Sequence, residues 1–393
     1  MKKRILGVDR NIFFLGIVSF LTDVSSEMIF SVFSVFFIVV LGASAALLGI
    51  VEGLADFSAS SLDYIAGFLS DKSGKRKRFA AIGYVFSTLA KAILVFSSSV
   101  NSAFAFRVIE RLGKSFRGPP RDAWIASLSD KNNKGYSFGL HKTLDKAGAI
   151  IGPFMAYGIL RTYGETKEIF GLLFWIALIP AALAVLLILF LKDKPAPPRE
   201  KENIFRAYKD LSPDFKHYLA SSAIFSLAYF SYGFLLLKAY TAGFTIENIV
   251  LLYALFNLAF VFVAAPIGRL GDKIGRTTII SAEYVIYFVM TLGFLFASTK
   301  LQIILMFILY GIFFAIDESQ GKAYISDIEQ KRRGTALGLY GFVSGMIYLP
   351  ASVIAGYLWT IGQAYTFGFA ALASFAALVY FRMFLKNNES SIN

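Results

Sequence analysis

Long apolar stretches separated by short charged loops set the pattern of this chain. Uncharged runs recur at Met28–Val51, Ile169–Leu191, His217–Leu237 and Asn248–Gly268, and a longer one extends over Gly334–Phe381. A helix that crosses a bilayer needs about 20 predominantly apolar residues. Each run is therefore of membrane-spanning length, and the last is long enough for two. Glycine and proline breaks together with the charged loops divide the chain into twelve predicted spans. They fall at 11–41, 45–70, 79–98, 101–128, 136–162, 168–191, 216–240, 245–271, 278–297, 301–328, 335–360 and 364–385. The fold class this predicts is an all-α membrane protein of twelve transmembrane helices. The one long connection, 192–216, carries Pro195, Pro197, Pro198 and mixed charge. It separates an N-terminal six-helix half, 1–191, from a C-terminal six-helix half, 217–393.

One stretch breaks the apolar pattern. Residues 106–122 carry Arg107, Glu110, Arg111, Lys114, Arg117, Arg121 and Asp122 between apolar flanks. On a helical wheel with Arg107 at zero, Glu110 falls at about 300°, Arg111 at about 40° and Lys114 at about 340°. Arg117 falls at about 280°, Arg121 at about 320° and Asp122 at about 60°. All seven share an arc of roughly 140°. A charge near the bilayer centre costs about 2.5–3.5 kcal/mol even on lenient insertion scales. This helix therefore lies outside the membrane, or it turns its charged stripe toward partners and water inside a bundle.

Composition decides for the bundle. Of 393 residues, 56% are hydrophobic and 17% charged, with a mean hydropathy of +0.62. Soluble domains carry about 25% charged residues. The net charge of +13 would suggest nucleic acid as a partner in a soluble protein. Here the excess lies in Lys72–Arg78, Lys131–Lys134, Lys192–Lys216, Lys273–Arg276 and Lys331–Arg333, the loops that follow even-numbered spans. The positive-inside rule then places both termini in the cytoplasm and the chain in the inner, cytoplasmic membrane. The start, Met1-Lys2-Lys3-Arg4 followed by Ile5-Leu6-Gly7-Val8-Asp9-Arg10, has no small-residue cleavage pattern, so no removable signal peptide is expected. Zero cysteines exclude disulfides, zinc–thiolate sites and iron–sulfur clusters, and two histidines leave little for a multi-histidine metal centre. No phosphate-binding loop and no nucleophile–histidine–acid arrangement points to an enzyme, and no cofactor is expected. Gly113 and Gly118 belong to a helix and its proline-broken end rather than to a phosphate cradle.

The two halves repeat. Gly67-Phe68-Leu69-Ser70-Asp71-Lys72-Ser73-Gly74-Lys75-Arg76 returns as Gly268-Arg269-Leu270-Gly271-Asp272-Lys273-Ile274-Gly275-Arg276, 201 residues on. Ala123-Trp124-Ile125-Ala126 returns as Ala323-Tyr324-Ile325-Ser326 at an offset of 200, and Gly135…Gly139-Leu140 as Gly334…Gly338-Leu339 at 199. Gly148…Pro153 returns as Gly345…Pro350 at 197. Four matches at nearly one offset imply duplication, and duplicated halves around a midplane site are transporter architecture.

At these residues the chain resembles the major facilitator superfamily of secondary transporters, over its full length. Gly67, Asp71, Lys72, Gly74 and Arg76 match that family's loop between spans 2 and 3. Arg107 looks like its span-4 arginine, with Glu110-Arg111 where Gln-Gly is usual. Gly148, Gly152 and Pro153 resemble the span-5 motif of exporters, closing here on Ala156-Tyr157 rather than Gly-Gly. The stretch Leu21–Met28, with Glu110–Lys114 and Pro120–Ala123, looks like a large bacterial and archaeal branch. The resemblance implies alternating access, a monomer, and gating by Gly67, Asp71, Lys72, Gly74, Arg76, Gly152 and Pro153, and by Asp272, Gly275 and Arg276 in the repeat. Physically, Asp71 opens a tight turn in which Gly74 takes φ > 0. Its carboxylate suits a helix N-terminus, which the resemblance places near Gly334–Leu337, a contact that favours the outward-open state.

Depth along the helices, at roughly 1.5 Å per residue, sorts the remaining charges. Asp23 and Glu27 lie one turn apart near the middle of span 1, and Glu52, Asp56 and Asp63 fall within about 40° of each other on span 2. Arg107 stands at the depth of Glu52, and Glu110 and Arg111 near the middle. His141 and Asp145 share a face of span 5. Acids of spans 1 and 2 at the depths of span-4 bases suit pairing in a low dielectric, and intramembrane ionisable residues are functional candidates by default. Proton occupancy there is a contest between desolvation and neighbouring guanidinium groups. The expectation is proton coupling at Asp23, Glu27, Asp56 and Asp145. Substrate binding and coupling are expected at Glu52, Arg107, Glu110, Arg111, Tyr232 and Tyr310. The second half lacks the stripe, since Arg107 maps to Phe307, Glu110 to Tyr310 and Arg111 to Gly311. It offers tyrosines whose buried hydroxyls seek partners. A cavity with one charged and one aromatic wall suits a small, amphiphilic, anionic organic solute. The partners expected are that solute, protons and the lipid bilayer, with no nucleic acid. Proton-coupled export is the leading expectation, proton-coupled uptake its competitor, and a non-transporting receptor or lipid-handling protein the reading from another class.

Overall fold

The computed structural model describes residues 4–97, 99–130, 133–191, 208–330 and 332–385. The expected linker 192–216 lies outside the described residues as far as 207, as do Met1–Lys3, Lys131 and Lys331 of the basic clusters. Apart from a two-rung antiparallel hairpin, Arg4–Ile5 with Val8–Asp9, the regular structure among the described residues is helical.

Twelve spans form where the apolar pattern placed them. Span 1 is Arg10–Val35, capped by the Asp9 carboxylate on Asn11 N, and it ends in a five-residue π-turn, Phe36–Val40. Spans 2 to 6 are Ala45–Ser73, Arg76–Phe96, Val100–Leu128, Lys134–Tyr163 and Lys167–Phe190. Spans 8 to 12 are Ile246–Ile274, Arg276–Phe296, Lys300–Ile328, Arg333–Ile361 and Gln363–Leu385. Among the described residues ten of the twelve are long and apolar enough to cross a membrane by composition; spans 4 and 5, which carry Arg107–Asp122 and Lys142–Lys146, are not among them.

Two local expectations are corrected. Span 4, expected over 101–128 with a proline-broken end, runs Val100–Leu128 and stays helical through Pro119 and Pro120. Each proline removes one i→i−4 hydrogen bond, but Pro120 is buried against neighbouring helices, whose packing holds the turn. Span 7 is expected to be continuous over 216–240. It starts earlier, at Pro213 behind the Ser212 cap, and is two helices, Pro213–Ala228 and Tyr232–Thr241. Tyr229 is extended, and Ser231 caps the second piece by accepting from Gly233 N.

The duplication is visible in the helix ends. Spans 2 and 8 are both 29 residues long and start at 45 and 246; spans 3 and 9 are both 21 and start at 76 and 276. Spans 4 and 10 are both 29 residues and open on reciprocal capping boxes, Ser99 with Ser102 and Thr299 with Gln302. The packing repeats as well. Span 1 rests on spans 5 and 6, and span 3 on spans 4 and 6; span 7 rests on spans 11 and 12, and span 9 on spans 10 and 12.

The chain gathers into two compact units. One is Met1–Ala43 with Ser58–Lys201 and Ile246–Leu251; the other is Ser44–Phe57 with Glu202–Thr245 and Leu252–Asn393. The first part of span 2 joins the second unit because glycine lets backbone meet backbone there. A Cβ on Gly49 would stand 2.9 Å from Gly356 Cα, and one on Gly356 would stand 3.0 Å from Gly49 Cα. Small residues at such crossings drive helix association in lipid.

Candidate functional site

In the first unit the charged groups collect where spans 1, 3, 4 and 5 meet. Span 5 approaches span 1 through two glycines. A Cβ on Gly152 would be 2.6 Å from Val24 O and 3.1 Å from Glu27 Cβ; one on Gly148 would be 3.1 Å from Asp23 Cβ. Asp23 and Glu27 lie beside these crossings, both half-buried. Among the described residues Asp23 makes no hydrogen bond or ion pair. Pro153 is buried in the same contact.

One turn along span 5, Asp145 is the opposite case. Its carboxylate accepts from Ser19 Oγ at 2.5 Å and pairs with Lys142 Nζ at 3.2 Å and Arg121 Nη1 at 3.9 Å. Arg121 also donates to Ser19 Oγ, at 3.1 Å, and to Asp122 at 3.1 Å. His141, on the same face, is buried.

The single stripe expected on span 4 is two edges. Arg107, Arg111 and Lys114 form one. Arg107 is fully buried with its guanidinium 4.4 Å from the centre of the Phe30 ring, and Arg111, half-buried, lies 5.1 Å from the same ring. Two cations one turn apart thus share one aromatic ring from span 1. The Arg111 Nε is buried without a hydrogen-bond partner, and Lys114 is exposed. Glu110 and Arg117 form the other edge, at about 300° and about 280° on the wheel. Glu110 is fully buried and 3.7 Å from Arg117 Nη2. It faces Ser26 of span 1 and Ser87 of span 3, inside the helix packing.

In the second unit the candidates gather at the break in span 7. Glu52, buried, accepts from Ser231 Oγ at 2.9 Å, and Tyr287 OH donates to the freed Ala228 carbonyl at 2.8 Å. Backbone released by a broken helix at membrane depth needs such partners. Tyr232 is half-buried, 5.3 Å from the Tyr253 ring and 6.3 Å from Phe256; Tyr310, buried, is 5.1 Å from Phe256. Tyr229 and Tyr348 meet at 4.8 Å. Asp56 is half-buried one turn beyond Glu52.

The two repeated loops adopt one geometry. Gly74 has φ +66° and Gly275 φ +91°, the left-handed region that glycine reaches without strain. Arg76 lies 3.8 Å from Asp71, and Arg276 lies 2.9 Å from Asp272. Arg276 also bonds Asp327 and reaches Gln320 at 3.4 Å. Gly67 is buried, while Lys72 and Asp272 are exposed.

Sequence reasoning missed three members of the first unit's polar core: Lys91, Ser26 and Ser19. Lys91 is fully buried in span 3 and donates to Ser26 Oγ at 3.0 Å. Its signal was present, as a lone cation in an apolar run.

Comparison with known proteins agrees with this architecture. The family profile of the Major Facilitator Superfamily matches residues 15–316 and 219–392. An uncharacterized MFS-type transporter of Methanocaldococcus jannaschii is 37% identical over 367 residues, covering 92% of this chain and 91% of that protein. Multidrug resistance protein MdtH of Aeromonas hydrophila is 28% identical over 189 residues, 47% of each chain. Among solved structures, the nucleoside transporter NupG superposes with a TM-score of 0.79 at 15% identity, over 96% of this chain and all of that one; at that identity the likeness is one of fold.

Proposed function

The chain belongs to the major facilitator superfamily and is a multi-pass secondary transporter of small solutes, and from that premise we propose that it exports an amphiphilic organic solute in exchange for protons, by alternating access. The observation that carries the coupling is Asp23. It sits near mid-membrane, one turn from Glu27, without a hydrogen bond or ion pair among the described residues. A carboxylate that no donor or cation clasps exchanges its proton with less disturbance to the fold than one held three ways, as Asp145 is. Asp23 is thus the first proton carrier of the proposal and Glu27 the second. Asp56, half-buried in the other unit, and Asp145 complete the set.

The solute class follows from what each unit offers by itself. Arg107, Arg111 and Lys114 present three cations along one edge of span 4, two of them stacked on Phe30. They suit a carboxylate or another delocalised anion. The second unit offers Tyr232, Phe256 and Tyr310 beside a broken helix, which suits an apolar, aromatic portion. The likeness of half the chain to a protein named for multidrug resistance supports the outward direction. In this reading the halves 1–191 and 217–393, joined by 192–216, are the moving parts, and the glycine-turn loops at Asp71–Arg76 and Asp272–Arg276 are their gates.

The test uses purified protein in liposomes with an internal pH dye, challenged with amphiphilic anions, cations and neutral solutes. The reading expects proton movement with the anionic class, lost in Asp23→Asn and weakened in Arg111→Ala. Protons moving with the solute would turn export into uptake. Proton-driven flux that survives both Asp23→Asn and Glu27→Gln would overturn the assignment of the carriers.

A further inference from the structure

Glu110 and Lys91 are both fully buried, and the coupling scheme above uses neither. The Glu110 carboxylate is unevenly served. Its Oε1 has Ser87 Oγ at 3.3 Å, Ser26 Oγ at 3.5 Å and Arg117 Nη2 at 3.7 Å. Its Oε2 is buried and meets no donor. Charge-assisted bonds to carboxylates normally close to about 2.7–2.9 Å, so much of this acceptor's capacity is unfilled. Lys91 is the complement. It is an ammonium with three donors, and its hydrogen bond among the described residues goes to a neutral hydroxyl, Ser26 Oγ at 3.0 Å. One serine therefore touches both ions, and Lys91 stops one hydroxyl short of the carboxylate that would neutralise it.

A buried charge resting on a neutral partner is expensive when an opposite charge lies within reach. Ser26 Oγ, 3.0 Å from Lys91 Nζ and 3.5 Å from Glu110 Oε1, stands between the two charges. The charged groups around this pair are Asp23 and Glu27 from span 1 and Arg107, Arg111, Lys114 and Arg117 from span 4. Span 6, which packs against span 3 as well, brings no charge over Ile169–Leu191.

We propose that Glu110 is an exchange point between two cations, Arg117 of its own helix and Lys91 of span 3, with Ser26 as the resting place of Lys91 when Arg117 holds the carboxylate. Lys91 is then a positioning residue that ties span 3 to span 4 in one state of the unit and to span 1 in the other. The inference deepens the proton-coupled reading and rests on it, because the exchange changes the field at Asp23 and Glu27, both of which interact with Lys91.

The test needs no substrate in its first arm. Acid titration of the full-length protein, followed by infrared difference spectroscopy, reads the carboxylic C=O band of Glu110, assigned by its loss in Glu110→Gln. Lys91→Met is expected to move the midpoint of that band by about one pH unit or more, and Lys91→Arg to restore most of it. A folded Lys91→Met protein with an unmoved midpoint overturns the proposal. If Lys91→Met does not fold, Lys91→Gln, which keeps a polar group beside Ser26, takes its place in the titration, and an unmoved midpoint there also overturns the proposal. The second arm is the pH profile of proton movement in liposomes, which is expected to flatten in Lys91→Met and to persist in Lys91→Arg. A shifted band in a protein whose wild type moves no protons sinks the coupled-transport reading and leaves the ion exchange standing. Proton movement with an unshifted band does the reverse.

Discussion

At the scale of single residues, two aspartates near spans 1 and 5 separate structure from function. Asp145 is clasped by Ser19, Lys142 and Arg121. Asp23, beside Gly148, has no comparable clasp. Removing one member of a buried, charge-assisted network leaves the others unsatisfied, at about 1–3 kcal/mol for a case of this kind. Arg121 retains Asp122, which is half exposed and places the loss at the lower end of that range. Asp145→Asn is therefore expected to lower the unfolding midpoint of the detergent-solubilised protein clearly. Asp23→Asn is expected to leave that midpoint nearly in place while abolishing proton movement. Thermal denaturation of the two variants beside wild type checks this. Equal destabilisation by both would mean that Asp23 is also a structural acid, and would remove the basis for naming it the carrier.

At the scale of helices, the glycines of span 5 set how closely it lies on span 1. A methyl group on Gly152 would run into the backbone at Val24 O and at Met28 N, 3.0 Å away, and backbone does not swing aside as a side chain does. Overpacking of this kind costs about 1–3 kcal/mol. Gly152→Ala and Gly148→Ala are expected to lower both stability and transport, whereas Gly158→Ala, with open space at the same helix, is expected to change neither. Matched melting curves and flux measurements decide it, and a neutral Gly152→Ala would show that span 5 slides freely on span 1. Span positions were readable in the sequence because membrane length and charge punctuation act on each helix separately; span 3, for instance, is expected at 79–98 and is Arg76–Phe96. Gly74 was readable because its turn needs φ > 0 whatever surrounds it. The break in span 7 was not, because Tyr229-Phe230-Ser231 carries neither proline nor glycine, and the break is sustained by Tyr287 and Glu52 from other helices. Lys91 and Ser26 were missed for the same reason: their meaning lies in a partner more than sixty residues away.

At the scale of the whole molecule, the duplication and the charge of the loops make one claim between them. Loops 2–3 and 8–9 share sequence, turn geometry and an aspartate–arginine pair. Two copies of one element do the same work only on the same side of the membrane, which requires an even number of crossings between them. Spans 3 to 8 supply six, but three of these are open to challenge: spans 4 and 5 are rich in charge, and span 7 is broken into pieces of 16 and 10 residues. At roughly 1.5 Å per residue the longer piece reaches about 24 Å, short of the ~30 Å hydrocarbon core on its own. If span 7 failed to cross, the two loops would face opposite sides. If spans 4 and 5 both failed to cross, loop 4–5 would lie outside. The chain has no cysteine, so single introduced thiols report on this directly. Ser73→Cys, Gly135→Cys and Lys273→Cys lie at exposed positions in the helix ends of spans 2, 5 and 8 that border loops 2–3, 4–5 and 8–9, and Ser298→Cys lies in loop 9–10. With an impermeant maleimide on intact cells, Ser298→Cys alone is expected to react, and the other three only after permeabilisation. That outcome would place the basic loops, and with them both termini, in the cytoplasm, as the excess of lysine and arginine requires. Labelling of Lys273→Cys without Ser73→Cys would mean that span 7 turns back at its break. Labelling of Gly135→Cys would mean that the charged helices carrying Arg107, Glu110 and Asp145 lie outside the bilayer, which would remove the membrane from every argument about their pairing.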